Sequence, residues 1–233
     1  MLAHRQFGLG SLPALSKTRE MKQITKWSLL STGLVALSLS TWHCAAPKKA
    51  AAPITLIGSL DASSSNRERL PASLVRMAEL SSSIPAGSSV TLYRIDARCQ
   101  EIFNGPAPSF MEEFAAHLTP RLREVAKEDN TYLHILARAI TTRLKSATGQ
   151  VVIFIDTDYF CEGMTVADHK ELSSHVTRWA KDSRVTSIVA AQVNPKRMEA
   201  VRADFAGAGS KAILTPDEVQ LEALPLLARG GAK

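Results

Sequence analysis

Cysteine is scarce in this chain, with 3 residues in 233. That is too few to staple a small scaffold, so a disulfide-built fold is excluded. Aromatic residues are also few, at 6%, but 45% of the chain is hydrophobic. A chain disordered throughout is therefore excluded, and the 12 glycines, without a triplet period, exclude a collagen-like one. The uncharged run Trp27–Trp42 has 16 residues diluted by Ser and Thr, short of the roughly 20 that a membrane helix needs. An excess of positive charge is missing too, once the formal net charge of +6 is located. Residues 1–44 hold Arg5, Lys17, Arg19, Lys22 and Lys26 against Glu20 alone, which leaves a net of +2 for the rest of the chain. No nucleic-acid partner is expected from so small a balance.

What is present begins with a leader. Lys22 to Lys26 precede the uncharged run, and HCAAPKKAAAP follows it. A basic start, an apolar stretch and small residues afterwards predict a signal peptide or a membrane or lipid anchor over 21–46. Met21 stands directly before this pattern, which makes 1–20 an upstream extension, and 47–53 reads as a linker. Cys44 lies where a bacterial lipoprotein carries its lipidated cysteine, although Thr41-Trp42-His43 are not the small residues that usually precede it. A tether would run through the segment itself or through Cys44. The expected location is extracytoplasmic, whether periplasmic, cell-surface or secreted.

From Pro53 the chain alternates short apolar runs with helical periodicity, which predicts one doubly wound α/β domain over 54–228 and a disordered tail at 229–233. The expected strands are 54–60, 89–96, an antiparallel edge return at 100–103, 151–155, 185–193 and 212–214, a mostly parallel six-stranded sheet. Helical stripes are Leu70, Leu74, Met77 and Ala78; Leu133, Leu136, Ala137, Ile140 and Leu144; Leu172, Val176, Trp179 and Ala180; and Met198, Val201 and Phe205. Ser65 with Glu68, Ser109 with Glu112 and Thr215 with Glu218 read as capping boxes.

Ligands of such sheets bind beyond the carboxyl ends of the strands, where the winding reverses. The first strand runs into Asp61-Ala62-Ser63-Ser64-Ser65. Alternate residues of an extended segment point the same way, so the Asp61 carboxylate and the Ser63 and Ser65 hydroxyls can converge. Thr131 opens a later helix, and the fourth strand ends in Asp156. Hard oxygen donors of this kind suit a divalent cation such as Mg²⁺, with Mn²⁺ or Ca²⁺ as alternatives. Simple helix capping by Ser65 and Thr131 is the competing account of those hydroxyls.

DASSS at 61–65, Thr131 in NTYLHILARAI and Asp156 in VVIFIDTD resemble the von Willebrand factor A domain and its metal-ion-dependent adhesion site, D-x-S-x-S followed by a Thr and an Asp. The segment IPAGSSVTLYRIDARCQEIFNG is similar to that family's second strand and edge hairpin. Two departures stand out: Thr131 follows Asp129-Asn130 where the family often has Gly, and Thr157 follows Asp156 where Gly is common. The resemblance implies Asp61, Ser63, Ser65, Thr131 and Asp156 as metal ligands, and a non-enzymatic module that captures an acidic residue of a protein partner. A metal-free scaffold of the same fold is the alternative. Asp156-Thr157-Asp158 also looks like the opening of haloacid-dehalogenase-type phosphotransferases, with Asp156 as nucleophile and Asp158 as general acid. Phe160 stands where those enzymes need Thr or Val, and no later acidic pair follows. Cys99 and Cys161 fall at one end of the sheet, as a disulfide or as two thiols. His134, His169 and His175 read as surface or half-buried helix residues.

Overall fold

The computed structural model describes residues 51–113 and 131–216. The leader, Cys44, the tail and Glu218 of the third expected capping box lie outside the described residues. The strands are β1 (Ile54–Asp61), β2 (Ser89–Ile95), β3 (Cys99–Pro106), β4 (Gln150–Asp156), β5 (Val185–Ala191) and β6 (Ala212–Leu214). The helices are α1 (Leu70–Ser83), α2 (Ala107–Glu113), α3 (Leu133–Leu144), α4 (Val166–Lys181) and α5 (Met198–Phe205).

The sheet order is β3-β2-β1-β4-β5-β6, and every pairing is parallel except β2 with β3. Every residue of β1 is buried, as a central parallel strand covered on both faces requires. Side chains alternate between two cores. Ile57, Ile153 and Ile155 share one with Leu136, Ile140, Val176, Trp179 and Phe205. Leu56, Leu60, Val152 and Phe154 share the other with Leu74, Met77 and Phe110. The apolar stripes read from the sequence lie in these two layers, with Ala180 and Met198 half-buried at the edge of the first. A side chain at Gly58 would meet the Met77 Sδ and Cε atoms at 3.0 and 2.6 Å, so glycine there leaves room for the end of the Met77 side chain on α1.

Two expected capping boxes do not form. Helix α1 starts at Leu70 with Arg69 as its N-cap, because Ser64–Asn66 first makes a tight 3₁₀ turn. Helix α2 starts at Ala107, which puts Ser109 inside it. A box that sequence reading passed over forms instead at α4. The Thr165 hydroxyl accepts the Asp168 amide at 3.3 Å, and the Asp168 carboxylate accepts the Thr165 amide at 2.8 Å. Thr165→Ala is expected to lower the free energy of unfolding by about 1 kcal/mol in a urea titration, with an unchanged slope.

No helix among the described residues is long and apolar enough to cross a membrane.

Candidate metal centre

The winding reverses between β1 and β4, since β2 and β3 extend the sheet one way and β5 and β6 the other. Asp61 closes β1 and Asp156 closes β4, with Leu60 opposite Asp156 in the register. Both acids are fully buried, at the point where an open α/β sheet leaves a crevice.

The Asp61 carboxylate is tightly held. Its Oδ1 accepts the Ser63 amide at 3.0 Å. Its Oδ2 accepts the hydroxyls of Thr131 at 2.9 Å and Thr157 at 2.8 Å. The Asn66 side-chain amide donates to the Asp61 carbonyl at 2.9 Å, which pins the turn that follows. Ser63 Oγ and Ser65 Oγ lie 3.0 Å apart, Ser63 buried and Ser65 at the surface. The structure thus joins Asp61, Ser63, Ser65 and Thr131 through contacts. Thr131 does not cap α3; Tyr132 occupies the N-cap and the threonine hydroxyl is directed at Asp61.

Asp156 is held differently. Its Oδ2 accepts the Gln192 side-chain amide at 3.0 Å, and the same nitrogen reaches Ser73 Oγ at 3.1 Å. Its Oδ1 is buried with no hydrogen-bond partner. A carboxylate oxygen kept from water without a donor is unfavourable unless a cation or bound water meets it.

The electrostatics agree with that geometry. Burial pushes the Asp61 carboxyl up to about 6, against the Ser63 and Thr157 hydrogen bonds that lower it, and the Asp158 charge adds to the rise. Burial likewise pushes Asp156 up to about 7; Ser73, Arg76 and Arg69 oppose this and Asp61 reinforces it. Two buried acids at one strand-end crevice share too little positive charge to ionise at their ordinary value. Among the described residues no three His, Cys, Asp or Glu side chains gather as a metal-holding group. An ion here would therefore depend on hydroxyl oxygens and water beside the two carboxylates. Those donors, with the orphaned Asp156 Oδ1, fit a hard divalent cation.

Thr157 and Gln192 were not singled out as site residues by sequence reading. Thr157 stood out only as a departure from the family's loop. Gln192 follows β5 at φ 62°, and nothing in its neighbours signals that turn. Asp158 is buried too, and its Oδ1 accepts the Phe160 amide at 3.0 Å. Beside the crevice lies a pocket of about 500 Å³ lined by Ser64, Ser65, Arg67, Glu68, Arg69, Asp158 and Asn194.

Cys99 and Cys161 are both free thiols, so the disulfide alternative is not realised. Burial raises both, Cys99 to about 11. The three helix histidines are partnered rather than loose on the surface. His134 faces Asp168 at 3.5 Å, His169 lies 2.6 Å from Asp204, and His175 lies 2.7 Å from Thr141 Oγ1.

No family model and no curated protein matches the sequence. The fold is nonetheless von Willebrand factor A-like: a six-stranded, mostly parallel sheet with one antiparallel edge strand and helices on both faces. Similar solved structures include the PilB minor pilin from Streptococcus sanguinis, at TM-score 0.52 and 10% identity over 79% of this chain and 61% of that one. A von Willebrand factor type A protein from Catenulispora acidiphila matches at 0.52 and 11%, over 76% and 42%. The conserved hypothetical protein BatB from Bacteroides thetaiotaomicron matches at 0.51 and 13%, over 77% and 97%. The chain spans less than two thirds of the pilin's length and nearly all of BatB's.

Proposed function

We propose that the protein is a non-enzymatic, extracytoplasmic binding module that holds a divalent cation, Mg²⁺ or alternatively Mn²⁺ or Ca²⁺, at Asp61, Ser63, Ser65, Thr131 and Asp156. The observation that carries this reading is the buried Asp156 Oδ1 without a donor, beside a second buried carboxylate. A bound ion supplies an open coordination position to which an acidic side chain of a protein partner can attach. Asp61 supplies negative charge, Ser63, Ser65 and Thr131 supply neutral oxygens, and Asp156 orients metal-bound water. The leader over 21–46, with Cys44 at its end, supports export and a tether, and a pilin among the similar folds is in keeping with a surface role.

A metal-free scaffold has one observation in its favour. Both Asp61 oxygens already accept hydrogen bonds from Ser63, Thr131 and Thr157. The unpartnered Asp156 oxygen weighs against it.

Thermal melting decides between the two. An ion that binds the folded state alone stabilises it by RT ln(1 + [L]/Kd), about 2.7 kcal/mol at a hundred times Kd. The melting temperature in EDTA is expected to rise on adding excess Mg²⁺ or Mn²⁺. Identical melts in EDTA and in either ion would leave the scaffold as the better reading.

A further inference from the structure

The turn after β4 carries a contact network that the metal reading does not use. Tyr159 is almost wholly buried and lies in the left-handed region at φ 63°. That conformation is uncommon for a residue with a large side chain and costs roughly 1 kcal/mol or more. Something must therefore hold it. The Tyr159 hydroxyl donates to Asp204 Oδ2, and Asp204 is itself buried on α5. The Asp204 carboxylate is fixed in turn by α4, with His169 Nδ1 2.6 Å from Oδ2 and the Ser173 hydroxyl 3.4 Å from Oδ1. At the other end of the residue, the Tyr159 amide donates to Thr157 Oγ1 at 2.9 Å. The Thr157 hydroxyl then has its proton directed at Asp61 Oδ2, 2.8 Å away. The Phe160 carbonyl of the same turn accepts the Thr131 amide at 2.9 Å, and Thr131 is the second hydroxyl donor to Asp61.

We propose that Asp204 and Tyr159 are positioning residues for Asp61: the buried tyrosine–aspartate clamp holds the turn after β4 so that Thr157 and Thr131 both point at the Asp61 carboxylate. The clamp reaches across from α5, which carries none of the expected ligands. Its amide link fixes which way the Thr157 hydroxyl faces, since an oxygen that accepts from Tyr159 must send its proton elsewhere. The ring's burial in the core and the Cys161 amide on the Tyr159 carbonyl offset part of the left-handed strain; without the phenol–carboxylate bond the rest is unopposed, Tyr159 relaxes, and Thr157 loses its orientation. The importance of this for ion binding rests on the metal-site reading; the clamp itself does not.

The test uses the full chain with Tyr159→Phe, Thr157→Val, the double variant, Asp204→Leu and Asp204→Asn. Amide hydrogen exchange reads the clamp. Tyr159→Phe and Asp204→Leu are expected to lower protection at residues 159 and 160 by about tenfold, the scale of one buried hydrogen bond to a charged group. The β1 amides should be unaffected, and Asp204→Asn, which keeps an acceptor for the phenol, should restore protection. Mn²⁺ affinity, read by water-proton relaxation, is expected to weaken about tenfold in Tyr159→Phe and in Thr157→Val. The double variant should be no weaker than either, because both changes interrupt one path. Protection that is unchanged, or that falls equally throughout β1, overturns the clamp. A wild-type protein that binds no Mn²⁺ overturns the metal reading and leaves the exchange result to decide the clamp.

Discussion

Asp61→Asn is expected to remove the melting-temperature gain from Mg²⁺ and to weaken Mn²⁺ binding by more than ~100-fold, beyond the usual effect of an outer-shell change. Asn is the substitution of choice because the structure shows what alanine would leave behind. The Ser63 amide and the Thr131 and Thr157 hydroxyls all donate to this carboxylate, and three stranded donors at about 1–3 kcal/mol each would confound the result. The amide keeps an acceptor oxygen for the Ser63 backbone N–H, turns its nitrogen toward the two threonine hydroxyls, which can accept as well as donate, and loses the charge that burial already disfavours. In EDTA the variant is therefore expected to melt no lower than wild type. Retention of proteins from an exported-fraction extract on immobilised wild type, but not on Asp61→Asn or in EDTA, is the corresponding expectation for partner capture. The same proteins in all lanes would exclude ion-mediated binding, and ion binding that persists in Asp61→Asn would exclude this residue as the centre of the site.

The second large effect is on pH dependence. The folded-state values of Asp61 and Asp156, about 6 and about 7, lie above the ordinary value of 3.8. Between those limits the folded chain binds more protons than the unfolded one, so stability falls as pH rises. The contribution is fully present below the ordinary value and is lost as pH passes through 6 to 7. Each tenfold change in proton affinity is worth about 1.4 kcal/mol, so the ion-free protein is expected to gain several kcal/mol on going from pH 7.5 to about 5. Two effects act against this. Burial lowers His175, which adds stability as pH rises, and the surface acids Asp168, Glu171 and Asp182, lowered by their hydrogen bonds, lose theirs only at still more acid pH. The gain should therefore peak above pH 4. Saturating Mg²⁺ should flatten the profile, because an ion favours both acids ionised, and Asp156→Asn should flatten it without any ion. A wild-type stability that rises from pH 5 to pH 7.5 in EDTA would contradict the buried-acid pair.

Why some of this was legible in the sequence is itself physical. Strand β4 is a continuous apolar run from Val151 to Ile155 and β1 is apolar apart from Thr55, Gly58 and Ser59, and the Asp that closes each run marks the strand end. Strand bounds came within one or two residues at β1, β2, β4 and β5, and β6 matched, while β3 extends to Pro106 beyond the expected return at 103. The helix starts failed where a local pattern had a stronger claimant. Ser65 with Glu68 has the spacing of a capping box, yet Ser65 lies beside the Ser63 hydroxyl and the helix opens only after Arg69. Thr131 reads equally as a cap or as a site residue; only the fold, bringing β1 within reach, separates the two. Gln192 and Asp204 were beyond reach because their partners, Asp156 and Tyr159, lie 36 and 45 residues away, with no periodic signal linking them.

The central place of β1 has a consequence for how the chain reaches its native state. Strands β1, β2 and β3 with α1 and α2 come from one continuous stretch, but the other edge of β1 pairs with β4. The contacts from Thr131 and Thr157 to Asp61 span 70 and 96 residues. A chain delivered from its N-terminus therefore exposes an unpaired, mostly apolar strand edge until β4 arrives, and such an edge invites association with other chains. Non-local closure of this kind is slow. The Thr131 and Thr157 hydrogen bonds onto Asp61 thus form only once both halves of the sheet have met, so a competent site reports completed folding, and truncation before β4 leaves a sticky half-sheet rather than a smaller domain.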